Sequence, residues 1–297
     1  MKKAQLIGAI EAGGTKFLCA VGTSPDELIQ TETIHTRSPS ETLAAASTFL
    51  KEAGGSSLAS VGIGSFGPLE LRVDNPNSGQ ITSTPKIGWS GTDLIGYFTN
   101  SLGVPVALDT DVNAAAIAEH QTGAGGGLDS MVYLTVGTGI GGGVIADGRI
   151  IHGNSHPEIG HMYVSRHPGD EFEGMCPFHG ACLEGLASGT ALEARFGSRA
   201  EDLGETDQQA ALGLSAFYLA SCAWNLISTL DTEAVVIGGG VSEMEGFHDA
   251  VRRHLIDLSG SYRSRPIDPE TFIRPPAHGS LAGIVGAMIL AEVIAEP

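Results

Sequence analysis

Residues 109–119 read Asp-Thr-Asp-Val-Asn-Ala-Ala-Ala-Ile-Ala-Glu (DTDVNAAAIAE). Two carboxylates, Asp109 and Asp111, stand one residue apart, Asn113 follows, and an alanine-rich helical pattern opens behind them. Ahead of them, residues 104–108 (VPVAL) form a short apolar, β-branched run of the kind that makes a buried strand. The acidic pair therefore falls where a strand hands over to a helix. In open α/β sheets ligands bind at the carboxyl ends of strands, and helix N-termini favour negative charge. One aspartate can serve as a plain helix cap, which leaves the other as a candidate for chemistry.

Outward from this junction the chain repeats itself. Residues 6–10 read as a strand, Glu11-Ala12-Gly13-Gly14-Thr15-Lys16 as a turn and 17–21 as a second strand, and 59–64 as a strand ending in Ser65-Phe66-Gly67-Pro68. In the second half 130–136 reads as a strand, 137–143 as a glycine-rich turn, 144–151 as a strand, and 234–237 as a strand ending in Gly238-Gly239-Gly240. A hairpin followed by a glycine-ended strand, twice over, implies an internal duplication. Helices are expected over 41–53, capped by Ser38 or Ser40, near 93–100, over 208–230 and over 284–295. The fold class is α/β. The expected domains are 1–118, small, with the terminal helix 284–297 packing back on it, and 119–283, larger, carrying an insertion at 151–190.

A chain of 297 residues suits two domains better than one core. With 17% charged residues, 42% hydrophobic residues and 42 glycines, it has the composition of a soluble α/β enzyme. The net charge of -18 argues against a nucleic-acid partner, because no basic patch is available for phosphates. No run approaches the ~18–20 apolar residues that span a bilayer. The opening MKK and the apolar run behind it resemble a leader, but Glu11 and glycines interrupt the run, so it reads as a strand. A cytoplasmic protein is expected, with its four cysteines reduced or metal-bound.

Three constellations carry chemistry. Gly13-Gly14-Thr15 and Gly137-Thr138-Gly139-Ile140-Gly141-Gly142 are turns whose backbone N–H groups can approach phosphate oxygens. Neither is a Walker loop or a Rossmann fingerprint, since each leads into a strand. Placed in duplicated positions, they suggest phosphates clamped between two domains. Cys176-Pro-Phe-His179-Gly-Ala-Cys182 has the close spacing of zinc ligands; the fourth ligand is one of His161, His167, His156 or His152. Cys19 and Cys222 sit in apolar surroundings and read as core. Glu158 in PEIGH and Glu184 in CLEG suit a polyhydroxylated ligand, since a carboxylate accepts hydrogen bonds from sugar hydroxyls. A zinc ion there would fix the loop that carries them.

These motifs together resemble the ROK sugar kinases, within the sugar-kinase/Hsp70/actin ATPase fold, over essentially the whole chain. EAGGTK (11–16) is similar to the first phosphate motif, TDVNAAAIAE (110–119) to the catalytic segment and VGTGIGGG (136–143) to the second phosphate motif. PEIGH (157–161) with CPFHGACLEGLASG (176–189) resembles the ROK signature and its zinc site, and VVIGGGV (235–241) the adenosine motif. The resemblance implies duplicated actin-like ATPase (ribonuclease H-like) domains with a central cleft that closes over the substrates. It implies Asp111 as general base, and Gly13, Gly14, Thr15, Lys16, Thr138, Gly139, Thr232, Gly239 and Gly240 at ATP. By the same token Asn113, Glu158, His161 and Glu184 would meet the sugar, and His161, Cys176, His179 and Cys182 would hold structural Zn²⁺. Mg²⁺ would come with ATP, and a homodimer is expected.

The chain departs from the common ROK pattern in four places: Glu11 where many members carry Asp, His179 where Cys is commoner, Ser155-His156 before PEIGH, and Asp231-Thr232 where Pro is frequent. The first three, with SFGP (65–68) and STPK at 83–86 ahead of Trp89, resemble the fructokinase branch. The expected reaction is phosphorylation of D-fructose to fructose 6-phosphate. A glucokinase, mannokinase or N-acetylmannosamine kinase is the alternative within the class, and a non-catalytic sugar-binding regulator the alternative outside it. An intact Asp111 with both phosphate turns favours turnover. ROK repressors carry an N-terminal helix-turn-helix domain, whereas this sequence opens on the first strand and is acidic, which favours the kinase side of the family.

Overall fold

The computed structural model describes residues 5–260 and 267–295. The first four residues, and 296–297 of the expected terminal helix, lie outside the described residues. Two compact units emerge, one holding the described parts of 1–118, 151–156 and 281–297, the other those of 119–150 and 157–280.

The first unit is built on a mixed sheet of β1 (Leu6–Ala12), β2 (Lys16–Ser24), β3 (Glu27–His35), β4 (Leu58–Ser65) and β5 (Val106–Thr110), in the order β3-β2-β1-β4-β5. β1 pairs antiparallel with β2, and β2 with β3, while β4 and β5 continue the sheet parallel to β1. Alternation decides which face each residue serves. Ile10, Ala12, Phe17, Cys19, Val21, Val61 and Ile63 pack against helices Pro39–Gly54 and Leu94–Leu102. Ile7, Ala9 and Ala20 pack on the other face against helix Ala282–Ala295. That helix lies directly on β4: a Cβ at Gly62 would stand 1.9 Å from the Ala287 carbonyl oxygen.

Local chemistry sets the helix ends. Ser38 caps Pro39–Gly54 in a capping box with Glu41, with Pro39 in the first turn, which selects Ser38 over Ser40. β3 is missing from the sequence reading because it has no alternation; it is an edge strand on which only Ile34 is buried.

The second unit repeats the plan. β6 (Met131–Val136), β7 (Ile140–Ala146), β8 (Arg149–Ile150), β9 (Ala234–Gly238) and β10 (Ile273–Arg274) are ordered β10-β9-β6-β7-β8. β6, β7 and β8 are antiparallel neighbours, and β9 and β10 run parallel to β6. Val132, Leu134, Val136, Val235 and Ile237 share one core with Tyr218, Leu219, Cys222 and Leu226 of helix Glu205–Leu230 and with Val251 and Leu255 of helix Phe247–Ser259. Glu205–Leu230 is long and apolar enough to cross a membrane by length and composition, and most of it is buried in this core. Helix Phe247–Ser259 was not expected. Its buried Phe247, Ala250, Val251 and Leu255 nevertheless stand at i, i+3, i+4 and i+8, the spacing of one apolar helix face, with Asp, His and Arg on the other.

Candidate active site

In the first unit β5 ends at Thr110 and helix Asp111–Thr122 starts at the next residue. The Thr110 hydroxyl accepts the Asn113 N–H (3.1 Å), so the cap is the threonine between the two aspartates. Asp109 is buried, and both its oxygens are committed. Oδ1 accepts from Thr110 N and Asn113 Nδ2, both at 2.7 Å, and Oδ2 holds His152 Nε2 at 2.8 Å. That bond to Asp109 raises the His152 pKa above its ordinary value. Asp111 is half-buried, with Oδ1 accepting Val112 N at 2.9 Å. Asn113 is fully buried; its Nδ2 is taken by Asp109, and its Oδ1 has no partner among the described residues. A buried acceptor in that state is suited to a hydroxyl donor.

Glu11 lies next to last on β1, and its pKa is raised to about 7. Burial is the larger cause, the negative charge of Asp111 the second, and Lys16 opposes both. Past Glu11, the turn between β1 and β2 is held from behind. Gly13 N–H donates to Lys16 O (2.9 Å), Thr36 donates its hydroxyl to Gly13 O (2.8 Å) and its N–H to Thr15 O (2.9 Å), and Lys86 Nζ donates to Gly14 O. Gly14, Thr15 and Lys16 are left exposed.

In the second unit the matching turn joins β6 to β7, with Gly137 N–H donating to Gly139 O (2.9 Å) and Thr138 exposed. Gly239 follows β9 at φ 89°, and a Cβ there would stand 2.6 Å from Val136 N and O. Only glycine allows this approach, which brings Gly239 and Gly240 beside the end of β6 that carries Thr138 and Gly139. Thr232 is not brought to them. It is buried ahead of β9, at the strand's opposite end, with its hydroxyl on Ala234 O (3.2 Å).

His161, Cys176, His179 and Cys182 converge, all four ligand atoms lying within 4.8 Å of one another. Cys176 Sγ is 3.6 Å from His161 Nδ1 and 3.7 Å from His179 Nδ1, and Cys182 Sγ is 3.7 Å from His161 Nδ1. Tetrahedral bonds of zinc length give S···N edges of about 3.6 Å, so this donor set fits the ion. Of the other candidate fourth ligands, His152 is on Asp109, His156 accepts from Leu69 N (3.2 Å), and the His167 ring packs on Phe217. Cys19 and Cys222 are buried, and burial pushes both thiols up to about 12.

Glu158 is exposed just ahead of the 3-10 turn Ile159–His161. Glu184, half-buried and two residues beyond Cys182, accepts the Ile140 N–H through Oε2 (3.0 Å). That grip on the second glycine turn, like the Asp109–His152 pair, had no sequence signal, because the partners lie 44 and 43 residues apart.

Two sheets of one order and one sense, each with an exposed glycine turn at its hairpin, define a duplicated actin-like ATPase fold. The ROK family model matches residues 7–294, and the chain belongs to that family. It is 44% identical to a fructokinase of Zymomonas mobilis over 291 residues, covering 97% of this chain and 96% of that one. Among solved structures it is similar to a ROK hexokinase from Thermus thermophilus, with a TM-score of 0.79 and 28% identity over 97% of this chain and 98% of that one. It is likewise similar to a ROK family glucokinase from Streptomyces griseus in complex with glucose and AMPPNP, with a TM-score of 0.78 and 25% identity over 97% and 99%.

Proposed function

We propose that this chain is an ATP-dependent fructokinase that transfers the γ-phosphoryl group of ATP to the 6-hydroxyl of D-fructose. The observation that carries the kinase reading is the division of labour at the strand-helix junction: Asp109 is committed to the scaffold, and Asp111 stands at the start of the helix beside Glu11. Fructose is favoured over other hexoses by the 44% identity to a fructokinase along nearly the full length of both chains.

In this mechanism Asp111 accepts the proton of the sugar hydroxyl as its oxygen bonds to the γ-phosphorus. The bond from that phosphorus to the bridging oxygen breaks, and its electron pair leaves with ADP. Such transfer depends mainly on positioning and charge neutralisation. Gly13, Gly14, Thr15 and Lys16, and the matching Thr138 and Gly139, serve the phosphates with N–H groups, hydroxyls and one cation. Gly239 and Gly240 lie along the adenosine. Asn113 offers its unpartnered Oδ1 to a sugar hydroxyl, joined by Glu158, His161 and Glu184. Two carboxylates that repel each other, Glu11 and Asp111, suit a hard cation, and Mg²⁺ arriving with ATP would neutralise charge on the phosphates there. Zn²⁺ would be held by His161, Cys176, His179 and Cys182 and would supply rigidity to the sugar-contacting segments, with no part in the transfer. The four cysteines are unbridged, which suits the reducing cytoplasm, and we place the enzyme there as a homodimer.

The test is ADP release from Mg-ATP, measured with fructose, glucose, mannose and N-acetylmannosamine in parallel. The highest kcat/KM is expected with fructose. A higher value with another hexose replaces fructose and keeps the kinase. No sugar-dependent ADP release from folded, zinc-loaded protein removes the kinase reading and leaves a sugar-binding regulator.

A further inference from the structure

The glycine turn of the second unit is held from outside the hairpin by the segment that leaves the metal cluster. Ile140 N–H donates to Glu184 Oε2 (3.0 Å), Gly189 N–H donates to Gly137 O (2.7 Å), and the Thr190 hydroxyl donates to Thr138 O (2.8 Å). These contacts leave no slack. A Cβ at Gly139 would stand 2.6 Å from Glu184 Oε2, and one at Gly189 would stand 2.9 Å from Gly137 O. The other ligand segment also packs against the start of β7: a Cβ at Gly160, beside His161, would stand 1.9 Å from Ile140 O.

The gripping segment is in turn seated on the ligand loop. Leu183 N–H donates to Met162 O (2.9 Å), and Met175 N–H donates to Gly185 O (2.9 Å). A Cβ at Gly185 would stand 1.9 Å from Gly180 O and 2.9 Å from Cys176 N. The path from the four ligands to the turn therefore runs through close backbone contacts at Gly185 and Gly189, with the Glu184 carboxylate and the Thr190 hydroxyl as its last links. A cavity of about 240 Å³ lies beside the turn, lined by Thr138, Gly139, Glu184, Ser188 and Thr190 among others.

We propose that the metal cluster positions the nucleotide as well as the sugar: through Glu184, Gly189 and Thr190 it holds the 137–140 turn in its phosphate-binding shape, so metal occupancy sets the affinity for ATP phosphates with no sugar present. This rests on the reading of that turn as a phosphate site. Thr190 is a positioning residue, acting through Thr138. Glu184 has a second duty of the same kind, because its Oε2 accepts the Ile140 N–H of the turn.

The experiment is calorimetric titration of the full chain, without sugar, with Mg-AMPPNP and separately with adenosine. Zinc-loaded wild type, chelator-stripped wild type, Thr190→Val and Thr190→Ser are compared. Stripping is expected to weaken AMPPNP about 10-fold and leave adenosine unchanged, with recovery on returning zinc. Thr190→Val, which removes the donor without changing shape, is expected to weaken AMPPNP by about 5-fold and raise KM for ATP while KM for fructose holds; Thr190→Ser recovers both. Equal AMPPNP affinity in zinc-loaded wild type and Thr190→Val overturns the proposal, and so does equal affinity after stripping. If stripping unfolds the chain, the Thr190 pair decides alone. Adenosine binding without AMPPNP binding by the zinc-loaded wild type removes the phosphate-site reading itself, an outcome distinct from either of these.

Discussion

Asp109 and Asp111 differ in what surrounds them, and the roles proposed for them follow that difference. Asp109 is spent on Thr110, Asn113 and His152, so its replacement should disturb the junction as a whole. Asp111→Ala should leave sugar binding in place while phosphoryl transfer falls by roughly 10²- to 10⁴-fold, the range for a lost general base; near-normal turnover in a rapid-quench assay would remove Asp111 from that role. Glu11 carries a pH signature. Its pKa in the folded protein is about 7, against 4.5 for a free carboxyl, so its contribution to stability is whole below about 4.5 and is lost as pH rises through 7. In metal-free protein, Glu11→Gln should therefore gain on wild type between acid and alkaline pH, by an amount on the order of 2–3 kcal/mol, seen as a widening gap between urea midpoints. A gap that stays constant with pH would show that Glu11 is not the strained carboxyl. The acidic pair was legible in the sequence as a pair. That Asp109 is the member tied into the junction was not, because its partner His152 is distant in sequence and placed by the fold.

Elements differ in how openly they announce themselves. The metal loop is legible from spacing alone, since three ligands within seven residues leave few other uses, whereas His161 as the fourth ligand needed either the family resemblance or the fold. β3 has almost no buried face to announce it, whereas helix Phe247–Ser259 does carry a regular apolar stripe, Phe247, Ala250, Val251 and Leu255, that could have been found. A less legible tie joins three elements. Asp170 pairs with Arg195 of helix Gly189–Phe196 (Nη2 to Oδ2, 3.0 Å) and accepts the hydroxyl of Tyr218 in helix Glu205–Leu230. Burial pushes the Asp170 carboxyl up, and the bonds from Arg195 and Tyr218 outweigh it and hold the group at about 2. Its stabilisation is present above the ordinary carboxylate value of 3.8 and is lost as pH falls toward 2. Asp170→Asn leaves the Arg195 charge buried, and about 3 kcal/mol of stability should go with it, read from urea unfolding at neutral pH. A loss under about 1 kcal/mol would show that Arg195 finds other compensation.

Across the whole molecule, the duplication was legible from two hairpins and two glycine-ended strands, and the identical sheet orders are its structural form. The packing of the terminal helix is sharper than any pattern could reveal. Gly62→Ala would force a methyl group against the Ala287 carbonyl, and an expected cost of about 2–3 kcal/mol should appear as a lower Tm with zinc content unchanged. An unchanged Tm would mean that the helix can slide on the sheet. That same helix has a consequence for how the chain acquires its shape. Ile7, Ala9 and Ala20 leave the ribosome more than 250 residues ahead of their covering partners Ile284, Ala287 and Met288. The residues of the second unit are all synthesised in between. One face of the first sheet therefore stays bare for most of translation, and its closure is a long-range event of the kind that slows folding. In pulse-labelled refolding, amides of β6 and β9 should gain protection before those of β1, and a nascent chain stalled short of residue 282 should display the apolar face that chaperones recognise.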